Sequence, residues 1–190
     1  MISKGEIQRK MVHLCGLAIP IGYALTSEET AVAVVLLLFL CFLSLDLLRR
    51  FHGRTASLFH KYLYGNVLRE EEKTGLMGST YYLFSALLTI LFFPRPIAIV
   101  SLLILILSDT CAALVGKGIG RTRIFGKTLE GTLAFFFCSL VIVLIYPQTD
   151  RVSGILGALG AAVIEVLPIP LDDNLTIPFV AGAIMFFCRG

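Results

Sequence analysis

The chain has 190 residues, of which 57% are hydrophobic and 15% charged, and its formal net charge at pH 7 is +3. With a mean hydropathy of +0.88, it carries more apolar surface than a soluble core of this size could bury, so we expect an integral membrane protein and no nucleic-acid partner. The five cysteines lie in apolar runs without a Cys-x-x-Cys pair, which argues against a disulfide framework and a zinc site.

About seven apolar segments are candidates for membrane-spanning helices, because a span needs about 20 mainly apolar residues. In chain order they are residues 10–26, 30–48, 77–93, 96–115, 129–147, 152–168 and 176–189. Between the second and third segments, aromatic and leucine side chains recur at helical spacing among basic residues, which predicts an interfacial amphipathic helix near 50–70. The sequence therefore predicts an all-α fold, a polytopic transmembrane helical bundle in which residues 1–190 form a single integral-membrane domain.

The basic residues predict the orientation of this bundle. Most of the 16 Lys and Arg residues lie before the first segment, between the second and third, or between the fourth and fifth. Because short loops rich in Lys and Arg stay in the cytoplasm, we expect the N-terminus to be cytoplasmic. This placement also suits a face that meets anionic headgroups and phosphates, although membrane topology alone explains most of it.

Acidic residues near the membrane segments are functional candidates, because an ionisable group at the membrane centre costs about 2.5–3.5 kcal/mol. With the predicted orientation, acids from separate parts of the chain gather at the cytoplasmic leaflet. They are Asp46, Asp109, Glu130, Glu165, Asp172 and Asp173. The alternative is that some of them, Asp46 and Glu165 above all, pair with Arg or Lys and hold helices together.

The loop between segments four and five is rich in glycine and basic residues. Glycines let backbone amides approach an anion, Lys and Arg neutralise it, and the start of the next helix favours negative charge. The pattern predicts a polyphosphate site that includes Gly116, Gly120, Arg121, Gly126, Lys127 and Thr128. It is not a Walker A motif, which needs glycine where Arg121 stands. Because Mg²⁺ prefers oxygen ligands beside phosphates, the flanking Asp109 and Glu130 predict a metal-nucleotide site.

These residues resemble a known signature. Asp109-Thr110-x-Ala112-x-x-x-Gly116 followed by Lys127-Thr128-x-Glu130-Gly131 is similar to the motif shared by CTP-dependent lipid kinases (dolichol, phytol and diacylglycerol kinases) and phosphatidate cytidylyltransferases. The chain ends resemble the kinases, with Glu6-x-x-Arg9-Lys10-x-x-His13-x-x-Gly16 at the start and Glu165, then Leu171-Asp172-Asp173-Asn174-Leu175-x-x-Pro178, near the end. The Lys-Arg-x-x-Lys-Asp run and His-Gly-Gly segment of the cytidylyltransferases are missing, as are the extra helices of eukaryotic dolichol kinases.

The resemblance covers nearly the whole chain and implies a single catalytic domain. It implies a lipid kinase that transfers the γ-phosphate of CTP to the hydroxyl of a polyprenol, a phytol-like alcohol or diacylglycerol at the cytoplasmic membrane face. We therefore expect CTP, Mg²⁺, a lipid alcohol and membrane lipids as partners, and a homodimer stays open. We also expect a multi-pass protein of a prokaryotic cytoplasmic membrane. The alternatives are cytidylyl transfer to a phospholipid and, with less support from the placement of the acids, a transporter.

Phosphoryl transfer needs positioning and charge neutralisation, which suggests a role for each polar residue. We expect a catalytic role for Asp109, Glu130, Asp173 and His13, Mg²⁺ ligands in Asp109, Glu130 and Asp172, and headgroup contacts from Arg9, Lys10 and Glu165. Two of these residues have simpler alternatives. Asp172 could cap the last helix, and His13 could be a packed residue near the membrane boundary.

The lipid tail is expected to lie in a groove between helices. Small residues of segment six could line it, namely Gly157, Ala158, Gly160, Ala161 and Ala162. A close contact between helices is the commoner use of such a stretch.

Overall fold

The computed structural model describes residues 4–51, 53, 72 and 75–190, and these residues are mostly helical. The helices, in chain order, are α1 (Lys4–Cys15), α2 (Ala18–Leu25), α3 (Glu28–Phe51), α4 (Gly78–Phe92), α5 (Arg95–Leu103), a π-helical segment (Ile104–Ser108), α6 (Asp109–Gly118), α7 (Leu129–Ile145), α8 (Arg151–Val166) and α9 (Asp173–Cys188). Each of the seven apolar segments coincides with one or more of these helices. The predicted amphipathic helix near 50–70 lies largely outside the described residues.

The first predicted segment is broken into α1 and α2 at Gly16. The amide of Gly16 donates to the carbonyl of His13 at 2.9 Å, and the hydroxyl of Tyr82 donates to the carbonyl of Gly16 at 2.8 Å. A Cβ at this position would lie 3.1 Å from the Tyr82 ring, so the close approach of α4 requires glycine. The break turns the chain and places α1 against the later helices.

The sequence did not predict the small β-hairpin that lies between α6 and α7 in the otherwise helical structure. Strand β1 (Arg123–Ile124) pairs antiparallel with strand β2 (Lys127–Thr128). The two residues of the turn have positive φ, +47° at Phe125 and +87° at Gly126. Such turns match the twist of the strands and favour Asn-Gly, whereas Phe in the left-handed region is strained by about 1–2 kcal/mol.

The core lies around α5 and the π-helical segment, where Ile104, Leu105 and Ile106 are fully buried. The π-helical segment interrupts the long helix from Arg95 to Gly118 just before Asp109. Ser108, at its end, accepts a hydrogen bond from the Ser139 hydroxyl at 2.9 Å. A single π turn inside an α-helix is frequent at functional sites, and here it immediately precedes a predicted catalytic acid.

The small residues of α8 pack against α9, so the predicted use of this stretch as a tail groove is wrong. A Cβ on Gly157 would lie 2.6 Å from Cγ of Met185 and 3.1 Å from the carbonyl oxygen of Ala181. Ala158 and Ala161 are fully buried. The absence of side chains lets the two helix backbones approach closely, which is the alternative that the sequence had left open.

In the described part of the chain, two helices are long and apolar enough to cross a membrane, Glu28–Phe51 and Arg95–Gly118, and three shorter apolar helices accompany them, Gly78–Phe92, Leu129–Ile145 and Asp173–Cys188. Only 17% of the apolar window of α3 is buried, against 67% for the helix from Arg95 to Gly118. The helix α3 therefore turns an apolar surface outward, while the helix that carries Asp109 runs through the centre of the protein.

Candidate active site

One polar cluster joins the start of the chain to the end of the π-helical segment. The Lys10 ammonium forms an ion pair with the carboxylate of Asp109 and donates to the backbone carbonyl of the same residue at 3.1 Å. Nε2 of His13, one turn further along α1, lies 3.4 Å from Oδ2 of Asp109. Lys10, predicted to contact a lipid headgroup, is thus the direct partner of the predicted catalytic acid.

A second cluster centres on Lys127 in strand β2. Its ammonium lies 2.9 Å from Oδ2 of Asp173 and 3.2 Å from Oε1 of Glu165, and it also donates to the backbone carbonyl of Glu165. The Glu165 carboxylate also accepts from the Thr132 hydroxyl at 3.0 Å. These contacts tie the hairpin and α7 to the end of α8 and the start of α9. They engage all three donors of the ammonium.

The electrostatics of this cluster keep Lys127 charged. Burial lowers the pKa of the ammonium, but the negative charges of Asp173 and Glu165, with their hydrogen bonds, outweigh burial and raise its pKa above the ordinary value of 10.5. The cluster therefore places a positive charge directly beside the carboxylates of Asp173 and Glu165.

Two of the predicted metal ligands have structural contacts. The Glu130 carboxylate accepts hydrogen bonds from the amide of Thr122 at 3.2 and 3.3 Å and so fixes the base of the hairpin. The Asp172 carboxylate accepts from the amide of Asn174 at 2.9 Å and caps α9. The observed contact of Asp172 is therefore that of a helix cap, as the simpler alternative expected. Its role as a metal ligand stays a prediction.

The magnesium ion stays a prediction, because the described residues bring no metal-binding group together. Among residues 4–51, 53, 72 and 75–190, no three His, Cys, Asp or Glu residues come together in a group that could hold a metal ion. Mg²⁺ usually keeps several waters and takes one or two carboxylates besides the phosphate oxygens. Asp109, whose side chain is 25% exposed, can provide such a carboxylate.

The glycines of the predicted phosphate loop pack around Thr128. A Cβ on Gly116 would lie 2.7 Å from Oγ1 of Thr128, and one on Gly120 would lie 2.8 Å from the same atom. The Thr128 hydroxyl accepts from the amide of Gly131 at 3.2 Å and caps α7. Contact with Thr128 thus explains two of these glycines without a ligand. Gly126 serves the hairpin turn, and Arg121 is exposed on the same loop.

A cavity of about 370 Å³ adjoins both clusters. Its polar lining residues include Arg9, Lys10, His13, Glu72, Asp109, Asp173 and Asn174. Its apolar lining comes from α1 to α4 and the residue before α4, and includes Val12, Ile19, Leu38, Phe42, Met77 and Leu83. Asp109 and Asp173, which are 64 positions apart by their residue numbers, therefore line the same space. The cavity can hold an apolar chain that carries a polar group.

The role of Asp46 differs from that expected for a functional acid. Its buried carboxylate accepts from the amide of Met77 at 3.0 Å, the hydroxyl of Thr80 at 2.6 Å and the guanidinium of Arg49 at 2.9 Å. Arg49 also donates to the carbonyls of Glu72 and Gly75. Asp46 thus holds the start of α4 against α3, in agreement with the alternative that it pairs with a basic residue and joins helices. The spacing of Asp46 and Arg49, three residues apart on one helix, was the available signal.

Glu72 and Asn174 line the cavity, although the sequence did not single either out as a site residue. The amide of Gly78 donates to the Glu72 carboxylate at 2.8 Å. The Asn174 side chain donates to the Asp172 carboxylate at 2.8 Å. Asn174 directly follows Asp173 and stands in the motif near the end of the chain that resembles the kinases.

The chain is similar to several known proteins. It is 32% identical over 186 residues to an uncharacterized protein of Rickettsia prowazekii, covering 91% of this chain and 89% of the relative. It is 28% identical over 159 residues to a protein of Schizosaccharomyces pombe named CTP-dependent diacylglycerol kinase 1, covering 72% of each. A protein of Triticum aestivum named as a probable chloroplastic phytol kinase is 28% identical over 210 residues, covering 97% of this chain and 68% of the relative.

No protein-family model matches the chain, and no solved structure matches it significantly. The relatives with functional names carry two such names, CTP-dependent diacylglycerol kinase and phytol kinase. Both names describe kinases that act on lipid alcohols, in agreement with the resemblance found in the motifs.

Proposed function

We propose that this chain, which belongs to the family of CTP-dependent polyprenol and lipid kinases, transfers the γ-phosphate of CTP to the hydroxyl of a lipid alcohol at the cytoplasmic face of a membrane. The observation that carries the proposal is the cavity, because its lining combines apolar side chains with Lys10, Asp109 and Asp173. A lipid alcohol has the same division into an apolar chain and one reactive polar group. Family membership supports CTP as the donor.

We expect the reaction to take place at a membrane surface, because its two substrates differ in solubility. A water-soluble nucleotide and a membrane-bound alcohol can react only where water meets lipid. We propose a multi-pass protein of about seven spans with a cytoplasmic N-terminus, in which residues 1–190 form one catalytic domain. The outward apolar surface of α3 supports lipid contact. A prokaryotic cytoplasmic membrane is part of this proposal.

Asp173 is the general base in the proposed reaction. It lines the cavity, and the Lys127 ammonium, 2.9 Å from its carboxylate, holds this carboxylate in position. The proton of the lipid hydroxyl passes to Asp173, the hydroxyl oxygen bonds to the γ-phosphorus, the bond from that phosphorus to the bridging oxygen breaks, and CDP leaves. His13 is the second candidate for this role, because it lies beside Asp109 and lines the same cavity.

Charge neutralisation is the other requirement of phosphoryl transfer. We propose that Arg121 and Lys127 contact phosphate oxygens, and that Lys127 exchanges one of its carboxylate contacts for a phosphate when CTP binds. A magnesium ion bound with CTP would neutralise charge on the phosphates, and Asp109 is the carboxylate that we propose to hold it, with Glu130 as a further candidate. We also propose that Lys10 positions Asp109 and that Arg9, which lines the cavity, contacts the headgroup.

The test uses the purified protein in detergent with Mg²⁺, a panel of lipid alcohols (a polyprenol, phytol and diacylglycerol), phosphatidate as the acceptor for cytidylyl transfer, and CTP labelled in either the γ- or the α-phosphate. Label from γ-labelled CTP in the lipid, and none from α-labelled CTP, is the expected result. Label only from α-labelled CTP would instead establish cytidylyl transfer, and label from neither would contradict both reactions.

Matched variants identify the residues responsible. Asp109→Asn and Asp173→Asn should each lower transfer by about 100-fold or more, as expected when a positioned acid or base is removed. Asp150→Asn makes the same chemical change at the start of α8, where the carboxylate only accepts from the amide of Ser153 at 2.8 Å. Full activity in this control, together with thermal midpoints of Asp109→Asn and Asp173→Asn that stay well above the assay temperature, would assign the loss to the cavity residues.

A further inference from the structure

The tip of the hairpin carries an exposed aromatic side chain on a strained backbone. Phe125 has φ of +47°, and 66% of its surface is exposed. Asn and Asp tolerate this conformation through local hydrogen bonds and Gly through its lack of a side chain, but Phe gains neither advantage. Residues held in such conformations cluster at ligand clamps and active sites, so the outlier points to a role for the ring.

The surroundings of Phe125 favour a ligand that carries several negative charges. Arg121 and Arg123 are exposed on the same loop, and Lys127 follows two residues later in β2. Because a strand rises about 3.3 Å per residue, the backbone of Phe125 lies within about 7 Å of that of Lys127. The Lys127 ammonium reaches Asp173, which lines the cavity. A ligand that spans from the cavity to the hairpin tip would therefore pass along cationic side chains and end at an aromatic ring.

We propose that the ring of Phe125 is the platform on which the pyrimidine base of CTP stacks, with cations of the same loop along its phosphates. This inference rests on the proposed function for the identity of the nucleotide. A planar base attached to a triphosphate matches both features of the hairpin, the exposed ring and the flanking positive charge. Aromatic side chains stack on bases in this way in nucleic-acid-binding proteins.

A membrane surface is the competing occupant, because an aromatic side chain among basic residues also suits a lipid interface. The chain contains no tryptophan, so Phe125→Trp introduces a single tryptophan whose fluorescence reports directly on the hairpin tip. The variant is placed in lipid nanodiscs and titrated with CTP in the absence of any lipid alcohol, so that binding is measured without transfer. Inorganic tripolyphosphate, which has the charge of the nucleotide but no base, is titrated in parallel.

Saturable quenching by CTP and little change with tripolyphosphate is the expected result. Equal changes with both ligands would show that only the charges are sensed, and this outcome would overturn the stacking proposal. In nanodiscs made with phospholipids brominated on their acyl chains, we expect no additional quenching. Strong quenching by the brominated lipids, without an effect of CTP, would assign Phe125 to the membrane instead.

Activity gives an independent readout. Phe125→Asn keeps a residue that tolerates the turn, so it should preserve or raise the thermal midpoint while it raises KM for CTP about tenfold. KM for the lipid alcohol should not change. Ile119→Ala, at a 69% exposed position on the same loop, is the control and should leave both constants unchanged.

The two proposals fail in different ways. If the wild-type chain phosphorylates a lipid alcohol from CTP but Phe125→Asn keeps the wild-type KM for CTP, the stacking proposal is wrong and the kinase function stands. If no lipid is labelled but CTP still quenches Phe125→Trp and tripolyphosphate does not, the base platform stands and the proposed reaction is wrong.

Discussion

The Lys127 ammonium lies 2.9 Å from the Asp173 carboxylate, although 46 positions separate the two residues in the chain. The pair joins the loop predicted to bind phosphate to a carboxylate that lines the apolar cavity. Because the carboxylates raise the pKa of Lys127 above its ordinary value of 10.5, the pair stabilises the folded state fully below that pH. This stabilisation is lost only as pH rises through the higher folded pKa.

The reactivity of Lys127 should reflect this raised pKa. Acetylation at pH 8, followed by mass spectrometry, should modify Lys127 severalfold more slowly than the exposed Lys117, because only a neutral amine reacts. In Asp173→Asn the rate at Lys127 should increase, while that at Lys117 stays the same. The difference in thermal stability between Asp173→Asn and the wild type should be equal at pH 6.5 and pH 9. A difference that already disappears between these two values would contradict the assignment.

Lys10 and Asp109 should stabilise the protein as a pair. Removing one partner of a fully buried ion pair lowers the free energy of unfolding by about 3–5 kcal/mol. Because 25% of the Asp109 side chain is exposed, we expect a smaller loss, about 2 kcal/mol, for Lys10→Met or Asp109→Asn. The double variant should lose less than the sum of the two, with a coupling energy of about 1 kcal/mol or more. Unfolding of the four proteins in detergent provides the cycle. Additive losses would mean that the ion pair makes no net contribution.

Asp172 can be tested as a helix cap against its predicted role as a metal ligand. Asn is as good an N-cap as Asp, so Asp172→Asn should leave stability and the Mg²⁺ dependence of transfer unchanged, whereas Asp172→Ala should lose about 1 kcal/mol of stability. The measurement is the Mg²⁺ concentration for half-maximal activity, together with the thermal midpoint. A large increase in that concentration for Asp172→Asn would restore the metal-ligand role.

The parts of the fold that sequence predicted well are those set by local composition. Long apolar runs are sufficient to locate helices such as α3, because their length and hydropathy do not depend on any partner. The break at Gly16 was not predicted, since it depends on the ring and hydroxyl of Tyr82, which is distant in sequence. The hairpin was missed for another reason. Its strands have two residues each, too few for a periodic pattern.

The sequence named candidate site residues but not the contacts between them. Asp109 was singled out as an acid near the end of an apolar segment, and Lys127 as a cation in a glycine-rich loop before a helix. Their partners Lys10 and Asp173 lie far away along the chain, so spacing could not pair them. The tail groove was placed wrongly because small residues indicate close packing and an open groove equally well until the partner helix is known.

The walls of the cavity should control access of the lipid alcohol but not of CTP. Leu38 lines the cavity, whereas its neighbour Leu37 is 64% exposed and does not. Leu38→Trp should fill part of the roughly 370 Å³ and raise KM for the lipid alcohol severalfold with little change in KM for CTP. Leu37→Trp is the matched control, with the same substitution on the same helix. Equal effects of the two variants would show that the tail binds elsewhere.

The contact between α8 and α9 should make Gly157 intolerant of even one methyl group. A Cβ there would lie 2.6 Å from Cγ of Met185, which could shift, but also 3.1 Å from the backbone oxygen of Ala181, which could move only with α9. We therefore expect Gly157→Ala to lower the free energy of unfolding by about 1–3 kcal/mol. Because α9 begins at Asp173, the shift should also lower transfer activity.

Gly22 in α2 provides the control for this prediction, because a Cβ there meets nothing within 4 Å. Alanine is favoured over glycine inside a helix by up to about 1 kcal/mol, so Gly22→Ala should leave the thermal midpoint unchanged or raise it. Comparing the two variants by thermal unfolding in the same detergent separates packing from helix propensity. Equal midpoints for the two variants would mean that α9 yields to the added methyl group, and that the position of Asp173 does not depend on the close contact at Gly157.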